Sequence, residues 1–284
     1  MDPVIRSISD TAVLAAMHRA RESERPGALY DDPFARRLAG ARGERMFRDW
    51  PSAGKNAWAW AIRTYLFDQF IIQEVERGAD LVLNLAAGLD ARPYRMTLPA
   101  SLTWIEIDFP DVLSYKDEAL RDEKPVCRLE RIALDLSDAA ARRSQFESLA
   151  GRGTHGLILT EGLLVYLSRD EVGSLARDLA APRTYQRWIL DLPSPGLLRM
   201  LQKEMGAALT AARAPLRFGP EEGPDFFRPY GWRPVEVRST FKAAAKQRLL
   251  SFPMRLMALL PESQGRQGSR PWSGICLLGK ADGT

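Results

Sequence analysis

Histidine and cysteine are scarce in this 284-residue chain, with two of each. Cys127 and Cys276 lie far apart, and His18 and His155 do not sit beside them. No CxxC pair or His/Cys cluster therefore offers a metal site, and no metal is expected. Two lone cysteines do not make a disulfide scaffold, so a reducing, intracellular compartment is the easier reading. Long apolar runs are also missing: none approaches the ~18–20 residues needed to span a bilayer, and no membrane partner is expected. The opening MDPVIRSISD carries acids and lacks a basic segment followed by an apolar one, unlike a signal peptide. A basic stripe is absent too. Lys and Arg number 40 against 36 Asp and Glu, and the excess of +4 is scattered among acids, as in RARESERP and ARGERMFRD. That pattern argues against nucleic acid. What remains is a soluble cytoplasmic protein with a small-molecule partner and an open oligomeric state.

Hydrophobic residues at 45% and charged residues at 27% are ordinary for a globular chain. The length suits one large domain, or one domain with an appended subdomain. Ser9 or Asp10 can cap a helix through TAVLAAMHRARESER, with Val13, Met17 and Ala20 on one face. Pro26 and Gly27 break it, and a short helix, PFARRLAG, ends at Gly40. A long helical pattern, KNAWAWAIRTYLFDQFIIQEVERG, places Trp58, Ile62, Tyr65 and Gln69 at helical spacing and closes at Gly78. From Leu81 strands alternate with helices. LVLNLA, LTWIEIDF, VCRLERIAL, GLILTEG and TYQRWILDL read as five strands. Between them lie PDVLSYKDEALRDE, with Pro110 in its first turn, and RDEVGSLARDLA, capped at Ser168. This alternation implies a parallel sheet covered on both faces. After Asp191 a mainly helical stretch and a Pro/Gly/aromatic segment precede two closing strands, VEVRST and GICLLGK.

The turn in LVLNLAAGLDARPYR (81–95) falls where an open parallel sheet binds ligands, at the carboxyl end of its first strand. Small residues there let a ligand approach the backbone, and Gly88 can take a positive φ. A plain strand-to-helix corner would look the same. The next strand ends in Glu106 and Asp108, and Asp108, twenty residues after Gly88, can accept from both ribose hydroxyls of an adenosine. The third strand ends in LDLSD, where Asp135 can accept from an adenine amino group and the Leu136 backbone can donate. Three successive strands thus deliver polar groups to one edge, which points to a nucleoside. The turn lacks two glycines of G-x-G-x-x-G and carries Asp90, an anion unsuited to pyrophosphate. An adenosine bearing a sulfonium and an amino acid matches better, namely S-adenosylmethionine.

Four blocks carry a family resemblance: DTAVLAAMHRARESERPGALYDDPFARRLAG, NLAAGLDARPYR, WIEIDFPDVLSYK and LTEGLLVYLSRDEV. Together they resemble the leucine carboxyl methyltransferase family, in its bacterial branch of polyketide-type O-methyltransferases, over roughly residues 10–195. The resemblance implies an α/β fold with a Rossmann-like, mostly parallel sheet and helices on both faces. It further implies a helical lid at 1–78, a cofactor-binding core at 79–194 and 235–284, and an inserted helical cap at 195–234. Ala86, Ala87 and Gly88 would pack the methionine portion of S-adenosyl-L-methionine, Asp108 the ribose, and Asp135 with Leu136 the adenine. Glu161 would face the methionine ammonium and Arg63 its carboxylate. Arg19, with His18 as rival, would supply an N-terminal cation. The family loop reads G-A-G, and here Ala86 stands where its first glycine belongs.

Methyl transfer to a carboxylate needs no base, whereas a hydroxyl acceptor gains from one. No histidine is obviously placed as a base, since His155 precedes the fourth strand and His18 lies on the first helix. Tyr166 and His18 are candidates for substrate positioning, with packing as the plainer role for each. KNAWAWAIR and PDFFRPYGW are expected to wall an apolar acceptor pocket, and Arg213, Arg217 and Arg228 are cations that could meet an acceptor carboxylate. The expected activity is O-methylation of a small or medium aromatic or polyketide-like metabolite of secondary metabolism. A protein or peptide carboxyl methyltransferase and a non-catalytic cofactor-binding protein are the alternatives, with an adenosine-binding oxidoreductase more remote.

Overall fold

The computed structural model describes residues 8–49, 54, 56–211, 214–262 and 267–281. Three helices come first: α1 (Ile8–Ser23), α2 (Ala35–Asp49) and α3 (Ala57–Glu76). Gly40, expected to end a helix, takes φ +56 inside α2, and the chain resumes helical geometry beyond this kink. The remaining order is β1 (Leu81–Leu85), α4 (Arg92–Arg95), β2 (Thr103–Asp108), α5 (Pro110–Leu120), β3 (Arg128–Ala133) and α6 (Ala139–Ala150). Then follow β4 (Gly156–Thr160), α7 (Arg169–Ala180), β5 (Tyr185–Pro193) and α8 (Pro195–Ala211). β6 (Trp232–Ser239), α9 (Thr240–Lys246), α10 (Phe252–Met257) and β7 (Ser273–Lys280) close the chain. Short 3-10 helices occupy Leu164–Tyr166 and Gly223–Tyr230.

The seven strands form one sheet in the order β3-β2-β1-β4-β5-β7-β6. β1 to β5 run parallel, and β7 is antiparallel to both β5 and β6. The order reverses between β1 and β4, which opens a crevice at their carboxyl ends. Alternation along each strand divides the core into two layers. Leu81, Leu83, Leu85, Ile105, Ile107, Trp188 and Leu190 face α6 and α7. Val82, Trp104, Leu157, Leu159 and Ile189 face α3, whose Ile62, Phe67, Phe70 and Ile71 cover them.

Local signals explain the helix starts. Ser168 and Glu171 form a reciprocal capping box on α7. Pro110 occupies the first turn of α5, where its missing N–H costs nothing. Helix α6 was not anticipated from apolar periodicity; Asp138 starts it by accepting from the Ala140 and Ala141 amides.

Two sequence expectations change. PDFFRPYGW does not wall a pocket: Phe226 and Phe227 are buried in the sheet-facing core, and Phe227 sits edge-on to Trp188 with centroids 5.1 Å apart. β6 begins at Trp232, so it reaches into the segment assigned from sequence to a cap ending at 234. Trp232 donates its indole N–H to the Ala176 carbonyl at 3.0 Å, which ties that edge strand to α7.

Glu106 is also explained. Its side chain is wholly buried, accepting from Lys116 Nζ and from Arg131 Nε at 2.8 Å each. The two acids at the end of β2 therefore differ, Glu106 binding β2 to α5 and β3 while Asp108 turns to the crevice. Lys116→Met leaves Glu106 buried with one cation, and is expected to cost about 3 kcal/mol of stability in urea unfolding followed by tryptophan fluorescence. An unchanged midpoint would show that Arg131 alone satisfies the carboxylate.

Candidate binding cleft

A cleft of about 1390 Å³ opens at the carboxyl ends of β1, β2, β3 and β4. The residues expected from sequence to hold the cofactor or position the acceptor line it: His18, Arg19, Arg63, Ala86, Ala87, Gly88, Asp108, Asp135, Leu136, Glu161 and Tyr166. They come from α1, α3 and four strand ends, so the topology gathers positions spread over about half the chain.

The loop after β1 is unusual in its backbone. Ala86 has φ +51 and Gly88 φ +50. Among the described residues the other non-glycine with positive φ is Arg248, and a left-handed alanine carries a steric cost of about 1 kcal/mol. A Cβ on Gly88 would lie 3.1 Å from the Ala12 Cβ, so α1 packs directly on this loop. Asp108 closes the loop from β2. Its Oδ2 accepts from the Gly88 amide at 2.6 Å, and its Oδ1 from Phe109 at 2.7 Å. Burial pushes its pKa up, while the two amides pull the other way. The carboxylate is thus fixed in direction and keeps free lone pairs. Asp135 is exposed, and its Oδ1 accepts from the Ser137 amide at 2.8 Å.

Behind the loop lies an ion network that sequence reading did not find. Arg92 Nε meets Asp68 at 2.6 Å, Nη1 meets Asp90 at 2.9 Å and Nη2 meets Glu161 at 2.8 Å. Asp90 also accepts from Asn84 Nδ2 at 2.9 Å. Burial alone would raise Asp90, but Arg92, Lys116, Arg19 and Arg95 together hold its pKa well below the carboxylate range. Arg95 Nη2 reaches Asp68 at 2.8 Å. Arg19 Nε meets Asp32 at 2.9 Å, and its Nη2 donates to the Leu89 carbonyl at 2.6 Å. Arg19 thereby braces the loop from α1.

Glu161 also meets Arg63 Nε at 3.1 Å, and Arg63 Nη1 lies 3.8 Å from Asp191 on β5. The approach needs Gly162, which has φ +68 and where a Cβ would sit 3.2 Å from Arg63 Nη1. Asp191 in turn accepts from the Gly162 amide at 2.8 Å. Burial raises the Asp191 pKa, with Arg63 opposing.

His18 sits differently from Arg19. Its ring stacks on Trp60 with centroids 4.6 Å apart at 6°, and stands edge-on to Phe47. Neither ring nitrogen has a hydrogen-bond partner among the described residues. Burial first, then Arg63 and Arg21, lower its pKa to about 3, so the imidazole is neutral. The Tyr166 hydroxyl is buried, which raises its pKa, with a Thr11 hydrogen bond acting against the shift.

The rest of the lining is largely apolar. Leu14, Trp58 and Trp60 come from the N-terminal helices, Leu197 and Leu201 from α8, and Leu216, Phe241 and Trp272 from later segments. Of the three arginines expected near an acceptor, Arg228 pairs with Asp225 at 2.6 Å and Arg217 is exposed; neither lines the cleft. Arg213 lies outside the described residues.

With this geometry in place, the chain can be compared with known proteins. Residues 12–180 match the model of the leucine carboxyl methyltransferase family, and the chain belongs to that family. A protein of Parafrankia sp., provisionally named an S-adenosyl-L-methionine-dependent methyltransferase, is 30% identical over 92% of this chain and 88% of its own length. One from Mycobacteroides abscessus with the same provisional name is 37% identical over 62% of each chain, so this chain spans less than two thirds of that relative. A DUF574-family protein of Streptomyces avermitilis shares the fold, with a TM-score of 0.60 at 13% identity over 94% of this chain and 96% of that one.

Ala86→Gly removes the left-handed strain at the cost of a looser unfolded chain. A net gain of about 0.5 kcal/mol in urea unfolding is expected, while Ala86→Val, β-branched at positive φ, should lose more than 1 kcal/mol. A stabilised valine variant would show that the loop does not hold residue 86 left-handed.

Proposed function

We propose that this protein is an S-adenosyl-L-methionine-dependent O-methyltransferase. Its acceptor is a carboxylate or hydroxyl of a small or medium, aromatic or polyketide-like molecule. One observation carries the reading. The loop 86–88, clamped Asp108, Asp135 with Leu136, and the Arg63–Glu161 pair, each matched to one part of the cofactor, all line one cleft.

The residues fit that ligand chemically. Arg63 and Glu161 are an opposite-charge pair at the cleft wall, complementary to the carboxylate and ammonium of an amino acid. Asp32, Asp68, Asp90, Glu161 and Asp191 are five carboxylates linked to four guanidiniums, Arg19, Arg63, Arg92 and Arg95. That excess of negative charge suits a cationic ligand and disfavours pyrophosphate. Asp108, held by two amides, presents its remaining lone pairs to ribose hydroxyls.

Bound S-adenosylmethionine supplies an electrophilic methyl group on a sulfonium. The chain's contribution is to orient and to exclude water. Trp58, Trp60, Leu14 and Leu201 offer an apolar wall for the acceptor. His18, neutral and stacked on Trp60, borders this wall with both ring nitrogens buried and without a hydrogen-bond partner among the described residues. In this reading residues 1–78 act as a lid over the cofactor, and the segment from 195, whose α8 brings Leu197 and Leu201 to the cleft, as a cap on the acceptor side that ends before β6.

Calorimetric titration tests the cofactor. S-adenosylhomocysteine should bind in the micromolar range, and NAD and NADP should not. Asp108→Ala should weaken binding about tenfold to a hundredfold, the worth of one or two hydrogen bonds to a charged group. No binding by wild type, even as Ala86→Gly, would sink the reading.

The pH dependence has a definite sign. Asp108 has a raised pKa, so it loses its charge on acidification sooner than an ordinary aspartate. Affinity for S-adenosylhomocysteine should therefore fall as the pH is lowered from about 8 to about 5, and Asp108→Asn should flatten that limb. A limb that survives in Asp108→Asn would move the titration to another group.

A further inference from the structure

Helix α10 and the turn after it have an apolar outer side that the fold does not use. Phe252, Leu256, Met257, Leu259 and Leu260 are between 53% and 80% exposed. Single exposed apolar residues are common, but five within nine positions form a patch. The helical path continues past Met257, because the amides of Ala258, Leu259 and Leu260 donate to Met254, Leu256 and Met257. At about 100° per residue, Phe252, Leu256, Leu259 and Leu260 share one side, and Met254 and Ala258 the other. The inner side packs into the core, and Met254 and Met257 line the cleft.

Charge narrows what could cover this patch. Residues 240–261 hold Lys242, Lys246, Arg248 and Arg255 and no acid. Lys242 reaches Glu262 at 4.0 Å, whereas Lys246 and Arg248 are exposed. A second copy docking by two-fold symmetry would bring these cations towards one another. An apolar strip flanked by cations is what an anionic bilayer surface accommodates, apolar side chains below the headgroups and cations among them.

We propose that the α10 face docks the protein on an anionic lipid surface, with the cleft mouth towards the bilayer. No described helix is long and apolar enough to cross a membrane. Interfacial docking needs none. The acceptor is then of the lipid-soluble class and enters past Met254 and Met257; this acceptor class rests on the methyl-transfer reading, and the docking does not.

The test is sedimentation of the full chain with vesicles of phosphatidylcholine alone or mixed with phosphatidylglycerol. Wild type should bind the anionic vesicles at least about tenfold more tightly, and added salt should weaken that binding. Leu259→Glu/Leu260→Glu and Lys246→Glu/Arg248→Glu should each lose about tenfold or more, with S-adenosylhomocysteine titration unchanged. Absence of binding to anionic vesicles, or equal binding by wild type and both variants, overturns the proposal. So does a dimer in sedimentation velocity that Leu259→Glu/Leu260→Glu dissolves. Vesicle binding that responds to both variants, in a protein that fails to bind S-adenosylhomocysteine, supports docking while removing the methyl-transfer reading.

Discussion

The cleft depends on Arg92. Its guanidinium is almost completely buried and meets carboxylates from three places: Asp68 on α3, Asp90 on the loop after β1 and Glu161 after β4. An arginine buried here without partners would cost several kcal/mol, so the three segments are held to positions that satisfy it. The chain of ion pairs continues through Asp68 to Arg95 and Asp32, where Arg19 joins from α1. In the other direction it passes through Glu161 and Arg63 to Asp191 on β5. One connected network thus fixes the N-terminal helices against the strand ends. That coupling lets residues from α1 and α3 form part of a pocket whose floor is the sheet.

The ligand-facing and structural charges are separated by depth. Asp68 and Asp32 are buried behind the loop, Asp68 held by Arg92 and Arg95 and Asp32 by Arg19 and Arg95. Arg63 and Glu161 sit at the front of the same network and are partly exposed to the cleft. The bent backbone at Ala86 belongs to the same arrangement. Asp108 draws in the Gly88 amide, Arg19 draws in the Leu89 carbonyl and Asp90 is pinned by Arg92 and Asn84. The loop is held at successive positions after residue 86, and the chain reaches those anchors by turning left-handed there. A glycine is the usual solution to such a turn; here an alanine is forced into it.

Much of this was legible in sequence, and the parts that were not have physical reasons. The strands showed because both faces of β1 and β4 are buried, which leaves uninterrupted apolar runs. Asp108 and Asp135 showed because Asp108 closes β2 and Asp135 follows the end of β3 by two residues, both at the carboxyl edge of the sheet. Arg92 did not, although it stands in LDARPYR, because nothing local distinguishes a buried arginine from a solvated one; its partners lie far away in sequence at Asp68 and Glu161. Asp90 was read correctly as an anion near the turn, but the cations that hold it were not visible. PDFFRPYGW misled because aromatic composition does not say which side a segment packs on. Helix α6 escaped notice because AAARRSQFESLA offers few apolar positions, with Arg142 burying its charge against Asp178 instead.

His18 marks the seam between the two halves of the cleft. Its ring stacks on Trp60, and the Arg63 guanidinium lies over that same indole at 4.7 Å, where its positive field disfavours a second cation. Burial first, then Arg63 and Arg21, keep the imidazole neutral, which removes it as a counter-ion for a carboxylate. What a neutral imidazole keeps is one N–H and one lone pair, fixed in direction by the stack.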